Sequence, residues 1–170
     1  MKVFYTGLIF FSFLLYSHAQ LSKSWEGEWR GKLEIYNEKG LQQSVDMGLN
    51  IISQSDSSWK WQIIYGSGEQ EQLRDYLLYK NETDPNQYVL DEQNSIQLYL
   101  SHVNQGLYSW FTVMQSELLV SYELIDGKIH FETITTTESQ SLTTGGEDNS
   151  PEVKAQKVRN IQKAVLIKKP

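Results

Sequence analysis

Trp25-Glu26-Gly27-Glu28-Trp29-Arg30-Gly31-Lys32-Leu33-Glu34-Ile35 is the stretch whose reading decides the fold. Trp29, Gly31, Leu33 and Ile35 fall on one side of an extended chain, and Glu28, Arg30, Lys32 and Glu34 on the other. A period of two marks a strand with one buried face, because successive side chains point to opposite sides of a sheet. A Gly-x-Trp on the first strand of a small chain of this kind points to a barrel that closes around an interior. The segment speaks to architecture more than to chemistry.

The same period continues along the chain. Asn37-Glu38-Lys39-Gly40 is a turn, after which Val45, Met47, Leu49 and Ile51 share a face. Ser53 to Ser58 is polar, and Trp59, Trp61, Ile63 and Tyr65 then alternate until Gly66-Ser67-Gly68-Glu69 breaks the strand. A fourth strand covers Leu73 to Lys80, its inward face left open because Leu77 and Leu78 are adjacent, and Asp84-Pro85-Asn86 ends it. Tyr88 to Leu90 is short, and Ile96, Leu98, Leu100 and His102 form one face of the next strand. Leu107 to Met114 and Leu118 to Ile125 follow, and Asp126-Gly127 is a type I′ hairpin signal leading into Ile129, Phe131 and Thr133. Residues 139–151 are polar and read as a mobile loop, with Ser150-Pro151-Glu152 suited to start a brief helical turn. Val158 to Lys168 is a last strand. Short strands at regular spacing with no long helix predict an all-β fold, an antiparallel up-and-down barrel of about 8–10 strands.

Ahead of this domain, Lys2, the apolar run Val3 to Tyr16 and Ser17-His18-Ala19 form a secretory leader, residues 1–19, cut after Ala19. The run is short of the ~20 apolar residues a spanning helix needs, so a soluble product is expected, secreted or periplasmic. The chain contains no Cys, which excludes disulfides and a lipid anchor on cysteine, and favours a bacterial source. Residues 20–170 make one domain, large enough to bury about two-thirds of the surface of its unfolded chain.

The formal net charge of −6 carries no signature of nucleic-acid binding. Its distribution is uneven: Lys154, Lys157, Arg159, Lys163, Lys168 and Lys169 crowd the C-terminal end against Glu152 alone. Two readings follow, a closing strand laid beside Glu26, Glu28, Glu34 and Glu38, or a separate site for an anionic partner.

With Gly27-Glu28-Trp29 on strand one, an up-and-down pattern over residues 25–168 and a basic residue late in the chain, the sequence resembles the calycin superfamily, the lipocalin-like and fatty-acid-binding-protein-like barrels. The resemblance implies that Gly27 and Trp29 close one end of the barrel with Arg159 lying across the indole, a cation–π contact of about 0.5–2 kcal/mol. It also implies a small-ligand site. The chain departs from the pattern in carrying Thr83-Asp84-Pro85 where lipocalins have Thr-Asp-Tyr, and only a turn where fatty-acid-binding proteins have a helical lid.

Trp59, Trp61, Tyr65, Phe111, Tyr122 and Phe131 alternate at positions that can point inward. Aromatics of ~150–250 Å² each either fill such a barrel or line an apolar pocket. Tyr76, His102 and Arg74 join them as candidate ligand contacts, Arg74 as a cation for a ligand carboxylate. His102 and His130 are too few and too scattered for a metal site, and the pair Asp91-Glu92 sits in a turn. The expectation is therefore a monomeric, non-enzymatic protein without cofactor, metal or nucleic acid, holding a small apolar or amphipathic ligand. The alternatives are a structural or interaction module with a filled barrel, or carbohydrate binding on the outer surface by Trp110 and Tyr108.

Overall fold

The computed structural model describes residues 21–147 and 149–170. The segment expected to be a leader, residues 1–19, falls outside the described residues. Ten strands run in order: β1 (Gly27–Asn37), β2 (Gly40–Ser55), β3 (Ser58–Tyr65), β4 (Gln72–Lys80), β5 (Gln87–Asp91), β6 (Gln97–Val103), β7 (Gly106–Val113), β8 (Ser116–Ile125), β9 (Lys128–Thr144) and β10 (Val153–Lys168). Each pairs antiparallel with the next, and β1 pairs with β10, so the sheet is a closed barrel. The ten-strand, all-β, up-and-down architecture agrees with the sequence reading.

The alternation in the opening segment becomes an inside and an outside. Trp29 and Leu33 are buried, as are Met47, Leu49 and Ile51 on β2 and Trp59, Trp61 and Ile63 on β3. On β4 the ambiguity resolves in favour of Leu78, which is fully buried opposite Leu90. Tyr88, Leu100, Leu107, Tyr122, Ile129, Phe131, Ala164 and Leu166 carry the same inward row around the rest of the wall.

One end of the barrel is sealed. A short 3₁₀ turn, Lys23–Trp25, places Trp25 and Leu21 inside with 3% and 2% exposure. Trp29 donates its indole N–H to the Trp25 carbonyl at 2.8 Å, fixing the turn to the first strand. Trp25 lies against Trp61 at 6.3 Å between ring centroids, and Trp59 against Tyr88 at 6.0 Å.

The cation over Trp29 is Lys168, its Nζ 5.3 Å from the ring centroid, and this corrects the expectation of Arg159. The reason is antiparallel geometry. Closure sets the start of β1 against the end of β10, with Trp29 opposite Lys168, whereas the rung Tyr36↔Ile161 belongs to the other end. Arg159 sits beyond that rung, where the β9–β10 register shifts between Val158 and Asn160. At strand rise of ~3.3 Å per residue it lies roughly 30 Å along β10 from Lys168.

A second correction concerns residues 139–151. β9 continues to Thr144 and pairs with β10 from Val153, so the loop is confined to the residues between them and residues 139–144 are strand. Polarity misled because this extension buries neither face. No helical turn forms at Ser150-Pro151-Glu152. The basic C-terminal side chains do serve closure, shared between neighbours: Lys169 meets Glu28 at 3.6 Å and Lys157 meets Glu38 at 3.1 Å, while Lys163 meets Glu132 and Lys154 meets Glu138 on β9. All four pairs are solvent-exposed and contribute little each.

Gly31 shows why the opening segment needs small residues. A Cβ built there would stand 2.3 Å from the Val165 carbonyl oxygen and 3.0 Å from the Leu166 side chain. Among the described residues no helix is long and apolar enough to cross a membrane.

Truncating Trp61 to Ala should cost about 3–5 kcal/mol, the usual range for a fully buried aromatic. Trp110, 71% exposed on the outer face, should lose no more than about 0.5 kcal/mol on the same change. Urea unfolding of the two variants decides, and equal losses would contradict the inside–outside assignment.

Candidate ligand-binding site

At the end opposite the tryptophan seal the barrel is not filled. The wall there is looser: the β6–β7 ladder has only three rungs, Ser101↔Tyr108 to Val103↔Gly106, and β4 pairs with β5 only from Leu77 to Lys80. Strands that diverge leave interior side chains without facing partners. Two adjoining chambers result.

The inner chamber, about 230 Å³, is floored by Ile63, Tyr122 and Phe131 and walled by Leu90, Leu98, Phe111, Leu118 and Val120. Ser109, Thr133 and Gln162 give it a polar strip, and Tyr65, Tyr76 and Glu92 stand toward its mouth. Ser109 and Thr133 are buried, 4% and 7% exposed, at inward positions that an apolar residue occupies elsewhere along the strands. The outer chamber, about 550 Å³, lies against Leu33, Ile35 and Val45, and carries Gln43, Gln70, Gln72 and Gln162. Tyr65 and Gln162 line both.

The phenols respond to this burial. The Tyr122 hydroxyl is pushed far above the ordinary tyrosine range by burial, with Tyr65 adding and the indole N–H of Trp61 offsetting a part. Trp61 itself stacks edge-on against Tyr122 at 5.1 Å, and its N–H lacks a partner in hydrogen-bonding geometry among the described residues. Burial also raises Tyr65, and raises Tyr76 with help from the Glu92 carboxylate, while Arg74 opposes the shift at both. At neutral pH all three are therefore neutral hydrogen-bonding groups.

Of the sequence-derived candidates, Tyr65, Tyr76, Phe111, Tyr122 and Phe131 converge on the inner chamber. Trp59 and Trp61 point inward but belong to the filled half, 1% and 0% exposed. His102 is also on the sealed side, edge-on to Tyr88 at 6.2 Å. Arg74 is in phase with Tyr76 and Leu78, opposite Ile63, yet its side chain is exposed and lines neither chamber. Sequence reasoning missed Ser109, Thr133, Gln162 and Glu92. The phase of Leu107-x-Ser109-x-Phe111 was a usable signal for the first of these, and the alternation Gln162-x-Ala164-x-Leu166, in regular register past the bulges in β10, was one for Gln162. A separate polar cleft of about 420 Å³ lies outside the barrel interior between Asn37, Glu38, Thr137, Lys157 and Arg159. Among the described residues no group of three or more His, Asp or Glu is placed to hold a metal.

No family model matches the chain, and no curated protein matches it in sequence. Solved structures do match the barrel. The S-type phycobiliprotein lyase CpeS from Guillardia theta superposes with a TM-score of 0.61 at 7% identity over 87% of this chain and 90% of its own. A protein of the DUF3598 family from Nostoc punctiforme superposes with a TM-score of 0.59 at 11% identity, covering 88% of this chain. The match takes in only 50% of that longer protein. The shared property is the β-barrel fold.

Raised phenol pKa values have a consequence at alkaline pH. Tyr108, bonded to Glu123 at 2.5 Å on the outer wall, is pushed up to about 12 by that bond. Tyr65, Tyr76 and Tyr122 are also raised from 10.0. A pKa raised on folding contributes stability that is complete below the unfolded value and is lost as pH climbs through the folded one. The urea midpoint should stay level up to about pH 9 and fall above about pH 10. Tyr122→Phe should fall less steeply there; an identical slope would remove Tyr122 from the account.

Proposed function

We propose that this chain is an exported, non-enzymatic binding protein that takes a small amphipathic molecule into the open half of its barrel. The observation that carries the reading is the division of the interior: one half packed solid with indoles, the other holding two adjoining chambers with an apolar floor and a short polar strip. Small-molecule sites are usually concave, mostly apolar and equipped with a few placed polar groups. The inner chamber alone falls short of the ~300–1,000 Å³ typical of such sites, so the ligand extends into the outer one.

Binding is favoured over catalysis by the groups at hand. The tyrosines in the inner chamber are held neutral, and Glu92 stands alone as a carboxylate in its lining, whereas acid–base chemistry calls for a group tuned near the working pH. The barrel of the Guillardia theta protein is that of a named phycobiliprotein lyase, which supports a barrel interior put to use; at 7% identity it does not extend that activity to this chain. Export rests on the sequence of the leader, and the cleavage after Ala19 follows from it.

The neutral fluorophore N-phenyl-1-naphthylamine should brighten on binding with one site per chain. Val120→Trp, which fills the inner chamber, should weaken that binding at least tenfold, and Trp110→Ala on the outer face should leave it unchanged. No enhancement, or equal affinity in Val120→Trp, would favour the filled-barrel module instead. N-terminal sequencing of the exported protein should begin at Gln20, and retention of the leader would refute export.

A further inference from the structure

The outer chamber has an unusual lining. Gln43 comes from β2, Gln70 from the 3₁₀ turn Gly68–Gln70, Gln72 from β4 and Gln162 from β10. Three of them occupy inward positions on the ladders. Ile35 has Gln43 opposite on one side and Gln162 on the other, and Gln72 stands opposite Tyr65. These are rungs where the alternation reserves the inside of the barrel for apolar side chains. None of the four side-chain amides is bonded to another protein group among the described residues, Gln43, Gln70 and Gln72 being solvent-exposed and Gln162 half-buried. Several other glutamines on the same barrel are bonded, Gln62 to Asp75, Gln97 to Asp91, Gln156 to Glu117 and Gln93 to the Asp75 carbonyl, while Gln105, Gln115 and Gln140, which line neither chamber, are also without a side-chain partner among the described residues. Nor does any charged side chain line the outer chamber.

Four amides gathered from four elements, free of protein partners and clear of charge, present donors and acceptors in equal number. They match a head group that also offers both, and they match a lone charge poorly, since an amide gives a carboxylate or an ammonium no counter-ion. Arg74, the cation that the sequence singles out for a carboxylate, lines neither chamber. We infer that the ligand of this barrel carries an uncharged, multiply hydrogen-bonding head, a polyol, amide or lactam, seated among Gln43, Gln70, Gln72 and Gln162, with its apolar body in the inner chamber. The inference rests on the binding reading above and specifies its ligand class.

The test compares four probes with one decyl chain and different heads: decyl β-glucoside, decanamide, decanoate and decyltrimethylammonium. Each is titrated below its micellar concentration against N-phenyl-1-naphthylamine bound to the full chain. The two neutral heads should displace the fluorophore at about tenfold lower concentration than either charged one, the effect of one or two ordinary hydrogen bonds. Changing Gln43, Gln72 and Gln162 together to Leu should bring all four within about twofold of one another, each displacement being read against the fluorophore's own affinity for that variant. The single variant Gln162→Leu, expected to lose about threefold of the preference, carries the test should the triple variant not fold. Decanoate binding best, or an unchanged order in these variants, would overturn the inference and leave the binding reading in place. A fluorophore that fails to bind the unaltered chain would overturn both.

Discussion

The fold depends on the seam where β1 meets β10. Every other ladder joins neighbours in sequence, but this one joins the ends of the domain, and it alone turns a ten-strand meander into a barrel without free edges. Gly31 allows the backbones to approach, with the Val165 carbonyl where a side chain would otherwise begin. Lys168 over the Trp29 ring and the hydrogen bond from the Lys169 N–H to the Glu28 carbonyl at 2.7 Å hold the last rungs together. The ion pairs along the basic strand are exposed and serve register more than stability.

Closure also decides what the interior can be. A wall of ten strands encloses more volume than one of eight, which side chains just fill. The chain meets this asymmetrically. At one end Trp25, Trp29, Trp59 and Trp61 with Tyr88 occupy the space completely, and the N-terminal turn caps them. At the other end Leu, Val and Thr replace indoles, the ladders shorten, and room remains. Sealing one end keeps water from passing through and gives the open end a floor, so burial of apolar ligand surface there is possible without undoing the core.

Much of this was legible in the sequence, and particular residues show why. The alternation from Trp29 to Ile35, the Asp126-Gly127 turn and the spacing of the strands depend on contacts between residues near in sequence, and they survive as read. Tyr65, Phe111, Tyr122 and Phe131 were recognisable from phase alone, whereas Tyr76 lies on a strand whose inward face the adjacent Leu77 and Leu78 left open. Trp59 and Trp61 were equally recognisable as inward, but phase says nothing of height along the barrel axis, and height separates plug from pocket. The assignment of Arg159 over Trp29 failed for the same reason: a cation was right, and its position along the antiparallel 16-residue strand was wrong by more than half of that strand's length.

By itself the sequence determined most of the strands, the inward faces of all but β4 among them and an apolar interior large enough to need closing, because period, turn chemistry and composition are local properties of the chain. The tertiary structure alone decided that Trp25 and Leu21 seal one end, that Lys168 covers Trp29, and that glutamines from three separate parts of the chain face one chamber. Those facts depend on the stagger of ten strands around a barrel, with its bulges in β2 and β10. Stagger is fixed only when the ring closes, since each ladder constrains the next and no single strand carries the sum.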